Sequence, residues 1–291
     1  MFDNVTMFDN VTMKLSIEPL LLSALKEDIT TCDLSAVGII PLSKRGRCTL
    51  TCKDNGILCG LDIFKKVFRL LDKSVTFLDF ASEGDTVFSG DKITVAEGDM
   101  ACILSAERTA LNYLQRMSGI ATYTNKMVKI LENSNTKLID TRKTTPNNRI
   151  FEKYAVKTGG GYNHRFNLST GIMLKDNHIS AAGSIKKAVE LARTSAPLLH
   201  KIELEAEDIN MVREALDAGV DVIMLDNMSI DLMKEAIEII GSQAEVEISG
   251  NVTETTLPLL KNLGADYISM GALTYSAQIL DFSLKDLRPI E

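Results

Sequence analysis

Beyond residue 130, short aliphatic runs alternate with amphipathic segments, and this alternation constrains the fold more than any other feature of the sequence. The aliphatic runs are typical of buried parallel strands and cover 137–141, 171–174, 201–205, 220–225, 245–248 and 267–270. The segments between them predict helices at 184–193, 207–218, 229–240 and 253–263. The expected N-caps are Ser184, Ser229 and Thr253, and the expected C-terminal stops are Gly219, Gly241 and Gly264. A period of roughly 20–25 residues is the βα unit of an α/β barrel or a doubly wound sheet.

Charged residues or glycines follow these strands at their carboxyl ends. They are Asp140-Thr141-Arg142-Lys143, Lys175-Asp176-Asn177, Glu203 and Glu205, Asp226-Asn227, Ser249-Gly250-Asn251 and Gly271. In an α/β barrel such ends meet at one mouth, where active sites are built. A Rossmann sheet requires G-x-G-x-x-G after its first strand, and a P-loop requires a Walker A motif; the sequence contains neither. The pattern therefore favours a barrel with its site at the mouth.

The residues before 103 have a different pattern, which predicts an α+β domain. A short helix is expected over 16–26, and short strands broken by Gly and Asp run from 46 to 102, interrupted by a helix at 61–71. Gly84 and Gly90, each followed by Asp, are interpreted as hairpin turns. A strong helix is predicted over 106–120, with Gly119 near its end and Arg108 in its first turn. Arg108 could equally be an exposed ionic partner of an acidic neighbour.

The first twelve residues are MFDNVT written twice. No hexamer of this kind builds a core, so we interpret residues 1–12 as tag-like, with the functional chain beginning at Met7 or Met13.

A dense cationic stretch runs from Asp140 to His178. Its basic residues are Arg142, Lys143, Arg149, Lys153, Lys157, His164, Arg165 and Lys175, and the formal net charge of the whole chain is -7. A cationic patch in an acidic protein predicts a focused pocket for a small, highly charged anion. The alternative is a solvated charged surface. Three consecutive glycines, Gly159 to Gly161, favour the pocket, since solvated helical faces rarely need such backbone freedom.

Composition excludes several other classes of protein. No apolar run approaches the ~18 residues that a membrane-spanning helix needs, and the start of the chain does not resemble a signal peptide. Five cysteines without a CxxC pair are interpreted as reduced thiols of a cytoplasmic protein. The negative charge and the absence of Trp disfavour nucleic-acid binding.

The predicted mouth has a basic half and an acidic half. Arginine forks suit carboxylates and phosphates, whereas Glu205 and Asp226 beside a phosphate call for Mg²⁺ or sugar hydroxyls. The residues thus suggest a substrate with carboxylates, a sugar and metal-bridged phosphates. The alternative is that Glu205 and Asp226 merely pair with Lys175 and Arg165 across the barrel.

Eight ordered motifs together resemble the quinolinate phosphoribosyltransferase family over residues 20–285. They are ERTALNYLQRMSGIAT, DTRKTTP, EKYAVKTGGGYNHR, IMLKDNHI, IELEAE, IMLDNM, ISGNVT and YISMGALT. The resemblance implies an incomplete, seven-stranded α/β barrel with an N-terminal α/β sandwich domain. We expect the sandwich at 13–111, the catalytic barrel at 112–275, and the tail 276–291 packed on the sandwich. The resemblance also implies a homodimer, sometimes assembled further into a hexamer. It implies an enzyme that uses Mg²⁺ and converts quinolinate and phosphoribosyl pyrophosphate to nicotinate mononucleotide, CO₂ and pyrophosphate.

The resemblance also assigns roles to residues of this chain. The quinolinate carboxylates are expected on Arg142, His164, Arg165 and Lys175, with Arg108 supplied by the partner subunit. The phosphoribosyl donor is expected on Lys143, and its 5′-phosphate on Ser249, Gly250, Asn251 and Gly271. Thr141 is also expected to bind substrate. Glu205 and Asp226 are expected to hold ribose hydroxyls and Mg²⁺, and with Lys143 they form the catalytic set. His164 is expected to be a carboxylate donor rather than a general base.

Two alternatives remain open at this stage. One is a paralogue on the same scaffold, such as a molybdenum-transport-associated pyrophosphorylase-like protein or nicotinate phosphoribosyltransferase, which needs to hold only one carboxylate. The other is a non-catalytic protein that binds an anionic metabolite. The presence of both Glu205 and Asp226 weighs against simple anion capture.

Overall fold

The computed structural model describes residues 9–41 and 43–290, in two compact units. The first unit takes in the described residues up to Tyr123 together with 146–159 and those from Ala277 onward, and the second contains 124–145 and 160–276. Most of the predicted tag-like repeat, residues 1–8, lies outside the described residues. Within the part of the chain that is described, no helix is both long enough and apolar enough to cross a membrane.

Helices and short strands alternate in the first unit. Its helices are α1 (Asn10–Thr12), a π-helical turn (Met13–Ile17), α2 (Glu18–Asp28), α3 (Leu34–Ile39), α4 (Leu61–Leu71), α5 (Met100–Ile130, which continues into the second unit) and α6 (Arg149–Thr158). Its strands are β1 (Arg45–Cys52), β2 (Gly56–Ile57), β3 (Thr76–Asp79), β4 (Thr86–Val87), β5 (Lys92–Asp99) and β12 (Phe282–Pro289).

The first unit is built on a four-stranded antiparallel sheet in the order β12-β1-β5-β3. Phe64 and Phe68 of α4 pack with Phe77 of β3 in tilted and edge-on contacts, with ring centroids 4.9–6.4 Å apart. Gly84 and Gly90 have positive φ and lie in turns, as predicted, but they do not join paired strands, because β4 pairs with β2. The hairpin interpretation is therefore wrong.

The helix predicted over 106–120 is longer than the pattern indicated. Helix α5 has 31 residues and runs through Gly119, so the predicted boundary at 111/112 falls inside it. A Cβ on Gly119 would lie 2.0 Å from the carbonyl oxygen of Gln278. Glycine is required at position 119 because any side chain there would collide with the C-terminal tail, and it does not end the helix.

The second unit is a six-stranded, wholly parallel sheet in the order β6-β11-β10-β9-β8-β7. Its strands are β6 (Lys137–Ile139), β7 (Ile172–Leu174), β8 (Ile202–Ala206), β9 (Val222–Asp226), β10 (Glu245–Ser249) and β11 (Tyr267–Ser269). Its further helices are α7 (Asp176–Ala182), α8 (Ile185–Ser195), α9 (Ile209–Ala218), α10 (Ile230–Ile240), α11 (Leu257–Leu260) and α12 (Ala272–Tyr275). All six strands correspond to the predicted aliphatic runs.

Local capping signals account for most helix boundaries in this unit. Ser184 and Ser229 accept hydrogen bonds from backbone N–H groups three residues ahead, as predicted for N-caps. The helix predicted at 253–263 shortens to α11. Thr253 does not cap it, because its hydroxyl is engaged with Thr256 in a turn, and Pro258 is accommodated only near a helix start.

Candidate active site

The carboxyl ends of the parallel strands surround a cavity of about 340 Å³, which we call the mouth. Its basic lining residues are Arg142, Lys143, His164, Arg165 and Lys175. Its acidic, polar and glycine lining includes Thr141, Glu205, Asp226, Ser249, Gly250 and Asn251. Gly271 adjoins this set, since a Cβ there would lie 3.0 Å from Cδ of Lys143. The second unit thus brings together all its predicted site residues.

The cationic stretch divides between the two units. Arg149, Lys153 and Lys157 lie on α6 in the first unit and do not line the mouth. Arg108 is also in the first unit, on α5, where it is exposed and its charge reaches Glu107. The basic residues of this stretch that line the mouth are the five that were expected there: Arg142, Lys143, His164, Arg165 and Lys175.

Two guanidinium groups form the anion-attracting side. Burial and the like charge of Arg142 lower the pKa of Arg165, and Glu203 partly offsets this effect. Arg165 donates from Nη1 to the carbonyl of Gly171 at 3.0 Å, which fixes the direction of its side chain. An anion bound beside Arg165 and Arg142 would relieve the repulsion that lowers the pKa of Arg165, so this side suits a carboxylate or phosphate.

His164 is placed differently from the expectation that it donates to a substrate carboxylate. Its Nε2 lies 2.9 Å from Glu203 and 3.4 Å from Glu247, and its Nδ1 accepts the backbone N–H of Arg165 at 2.6 Å. Burial alone would lower the pKa of His164, but the hydrogen bonds and charges of the two glutamates outweigh it and raise the pKa. A ring whose Nδ1 accepts the Arg165 N–H carries its proton on Nε2, which faces the glutamates. In this structure the imidazole faces protein carboxylates.

Asp140 organises the loop that carries His164. It is fully buried at the end of β6, accepts from Nδ2 of Asn163 at 2.7 Å and accepts the backbone N–H of His164 at 2.8 Å. Its neighbours along the chain are Thr141 and Arg142, so one carboxylate ties two segments of the mouth together. A buried carboxylate that accepts several N–H groups is well satisfied.

The acidic side contains an ion pair between a mouth carboxylate and a mouth lysine, as one interpretation of the sequence expected. Glu205 forms an ion pair with Lys175, whereas Asp226 accepts a hydrogen bond from Nδ2 of Asn227 at 2.7 Å. The Glu205 side chain is 12% exposed and that of Lys175 is 43% exposed. Because the lysine is the more exposed partner, it can exchange this carboxylate for a ligand group without leaving the mouth.

A tight loop follows β10. Asn227 and Asn251 both adopt positive φ, and Nδ2 of Asn251 donates to Oδ1 of Asn227 at 3.0 Å. Gly250 between these contacts has φ of +93°, and a Cβ there would lie 2.3 Å from Oδ1 of Asn227. Only glycine fits this position. Gly250 also lines the mouth, so this glycine loop lies at the cavity as do loops that cradle phosphates.

Several residues of the mouth are not among those expected from the sequence. Met173, Met224, Glu247 and Ser269 line it from within the strands rather than from the strand ends. The signal that could have found them is the two-residue period: on β10, Glu247 shares a face with Ser249, while Val246 and Ile248 face the other way and are buried.

Comparisons with known proteins give one consistent family. The model for the quinolinate phosphoribosyl transferase N-terminal domain matches residues 28–118, and the C-terminal domain model matches 120–285. A protein of Bacillus subtilis named probable nicotinate-nucleotide pyrophosphorylase (carboxylating) is 44% identical over 258 residues, 89% of each chain. A mitochondrial quinolinate phosphoribosyltransferase (decarboxylating) of Nicotiana tabacum is 38% identical, over 90% of this chain and 80% of that one. The crystal structure of NadC from Streptococcus pyogenes superposes with a TM-score of 0.92 at 45% identity, covering 98% of this chain and 100% of that one.

Proposed function

The chain belongs to the quinolinate phosphoribosyltransferase family, and from that premise we propose that its mouth joins quinolinate to phosphoribosyl pyrophosphate. The products are nicotinate mononucleotide, CO₂ and pyrophosphate, a step of NAD biosynthesis. The observation that carries the proposal is a single cavity with arginine and lysine on one side and two carboxylates on the other. A dicarboxylate and a phosphorylated sugar need both sides at once.

We assign quinolinate to the basic side. Arg142 is close enough to lower the pKa of Arg165, and a carboxylate between the two guanidinium groups would offset that repulsion. Lys175 would take the second carboxylate by releasing Glu205. His164 supports this pocket from behind, since its ring nitrogens face Glu203, Glu247 and the Arg165 backbone.

We assign the phosphoribosyl donor to the opposite side. The 5′-phosphate would lie against the loop Ser249-Gly250-Asn251 and Gly271, where side chains leave the backbone accessible. Lys143 supplies a positive charge, and its backbone is anchored: its N–H donates to Oγ1 of Thr141 and its carbonyl accepts from Oγ1 of Thr274. The ribose hydroxyls would be held by Glu205 and Asp226.

The residues present fit Mg²⁺. The carboxylates of Glu205 and Asp226 line the same cavity, and hard oxygen donors are the ligands that this ion prefers. If Lys175 leaves Glu205 to bind a substrate carboxylate, the Glu205 carboxylate becomes available to Mg²⁺. When bound, Mg²⁺ would neutralise charge on the departing pyrophosphate.

The chemistry then requires mainly positioning. As the bond from C1 to pyrophosphate breaks, the ribose gains oxocarbenium character, which the negative charges of Glu205 and Asp226 stabilise. Lys143 offsets charge on the donor. After the ring nitrogen is alkylated, loss of CO₂ leaves its electron pair on the adjacent ring carbon, where the positive nitrogen stabilises it until that carbon takes up a proton from solvent. The guanidinium groups hold the ring in place, and no covalent enzyme intermediate is needed.

The finer features of the family are part of this proposal. Tyr162 forms a parallel bridge to Ile139 beside β6, which supports a seventh strand position in an incomplete α/β barrel. We also propose a homodimer in which Arg108 of one subunit completes the site of the other, with assembly to a hexamer as a further step. A cytoplasmic location is the corresponding expectation for unpaired cysteines.

Carboxyl-labelled quinolinate provides the direct test. Release of labelled CO₂ that requires both phosphoribosyl pyrophosphate and Mg²⁺ is the expected result. Absence of release, with nicotinate accepted instead in a pyrophosphate assay, would move the chain to a non-decarboxylating transferase. Tight quinolinate binding without turnover would favour a binding protein.

A further inference from the structure

A buried polar cluster lies beneath the mouth. It consists of His164, Glu203 and Glu247, whose ligand atoms all lie within 4.8 Å of one another. His164, Arg165 and Glu247 also line a second cavity of about 360 Å³ on the other side, together with residues at the amino ends of the strands. The cluster is therefore a polar partition inside the parallel sheet, where aliphatic packing would be expected.

The imidazole of His164 links this cluster to the substrate side. Its Nε2 contacts Glu203 and Glu247, and its Nδ1 accepts the backbone N–H of Arg165. Its own backbone N–H is held by Asp140. The ring thus connects two buried carboxylates to the main chain of the arginine that faces the mouth.

Burial of the Glu203 and Glu247 carboxylates is unfavourable in free energy. Glu203 is 6% exposed and Glu247 is 2% exposed, and Oε1 of each lacks a hydrogen-bond partner among the described residues. Burial and the charge of Glu247 raise the pKa of Glu203 to about 7, although His164 opposes the shift. Buried ion pairs of this kind contribute little net stability, so their presence calls for a role in the site.

We propose that Glu203 and Glu247 are positioning residues for the anion pocket, which hold His164 from beneath and through it fix the main chain of Arg165, while the hydrogen bond to Gly171 directs the guanidinium. Their role is exerted through His164, since both carboxylates face its Nε2. This inference rests on the proposed function, because it takes the Arg165 guanidinium as a clamp for a quinolinate carboxylate.

A metal ion is the competing interpretation of the same three side chains. Two observations favour hydrogen bonding instead. Nε2 of His164 is already at hydrogen-bond distance from Glu203, and the positive charge of Arg165 acts on the same glutamate. A neighbouring guanidinium opposes a divalent cation and favours a hydrogen-bonded ion pair.

The test compares Glu247→Gln with Glu245→Gln. Both positions are on β10 with side chains on one face, but Glu245 pairs with Lys201 and lines only the second cavity. Glu247→Gln should raise KM for quinolinate about 10-fold and leave KM for phosphoribosyl pyrophosphate unchanged, because a misdirected clamp weakens one substrate. Glu245→Gln should change neither value.

The sign of the effect separates positioning from simple electrostatics. Removing a negative charge near a dianion site would by itself lower KM for quinolinate. A lowered or unchanged KM would overturn the proposal. In an Arg165→Ala background, Glu247→Gln should alter KM by less than about twofold, because both changes act on one clamp. Full additivity of the two effects would also overturn it.

Two controls keep the outcome decisive. Thermal unfolding identifies a variant that fails to fold, in which case Glu203→Gln is used and the same change in KM for quinolinate is expected. A stoichiometric transition metal in the purified protein, lost in Glu247→Gln, would assign the cluster to a metal and overturn the proposal. If the wild type shows no turnover, the proposed function fails and this inference with it; an active wild type with an unaffected Glu247→Gln refutes the inference alone.

Discussion

Replacing Arg165 with alanine removes the group that the structure places most firmly on the anion side of the mouth. The guanidinium is fixed by its hydrogen bond to Gly171, and its Nε is buried with no partner among the described residues. Arg142 is near enough to lower its pKa. These features describe a donor set arranged for an external anion rather than for a protein carboxylate.

The expected loss follows from these contacts. A hydrogen bond to a charged group contributes about 1.5–3 kcal/mol. Loss of the bidentate contact between the Arg165 guanidinium and a carboxylate should therefore weaken transition-state binding by about 3 kcal/mol. Relief of the repulsion with Arg142 reduces the loss, to about 2 kcal/mol at the least. At 1.36 kcal/mol per factor of ten, Arg165→Ala should lower kcat/KM for quinolinate by about 30- to 150-fold.

The assay is labelled CO₂ release at saturating phosphoribosyl pyrophosphate and Mg²⁺. Arg193→Ala is the matched control, since Arg193 also donates to a glycine carbonyl, that of Gly219, but pairs with Asp221 and does not line the mouth. Activity of the control should be unchanged. An Arg165→Ala enzyme with kcat/KM within a few-fold of the wild type would refute the placement of the carboxylate between the two arginines.

Three further predictions use other parts of the chain. If Arg108 acts across a dimer, mixing the Arg108→Ala and Lys175→Ala proteins should recover about a quarter of wild-type activity. About half of the dimers are then hybrids, and each hybrid has one intact site out of two. No recovery after demonstrated subunit exchange would count against a shared site. Gly250→Ala should raise KM for phosphoribosyl pyrophosphate, because the left-handed backbone and a contact of 2.3 Å exclude a Cβ; unchanged kinetics would remove this loop from the phosphate site. Burial raises the pKa of Cys48 to about 12, so at pH 8 native protein should be alkylated at the exposed Cys32 and not at Cys48, as read by peptide mass spectrometry; rapid labelling of Cys48 would contradict its burial.

The ion pair between Lys175 and Glu205 shows how a site can differ before and after substrate binds. Sequence analysis treated such pairing as an alternative to a substrate role, yet the structure permits both in turn. Lys175 is exposed enough to exchange partners, whereas Glu205 is nearly buried. The ion pair satisfies both charges, and under the proposed function a substrate carboxylate would replace Glu205 at the lysine.

Local chemistry explains which elements could be predicted. Ser184 and Ser229 cap helices through their own side chains, and the aliphatic runs become strands because only burial on both faces accommodates them. Predictions that depended on distant partners were less successful. Gly119 was expected near the end of its helix, but it lies inside α5, and the carbonyl of Gln278, far along the chain, is what requires glycine there.

The sequence by itself determined the parallel strands, the polar residues at their carboxyl ends and the family to which the chain belongs. These properties reside in short motifs and in a two-residue or 3.6-residue period, so they can be seen without a structure. Tertiary structure alone decided that Arg149, Lys153 and Lys157 do not line the mouth, and that His164 faces Glu203 and Glu247. Side-chain direction depends on groups from strands separated by tens of residues, and no local pattern records which of those groups will meet.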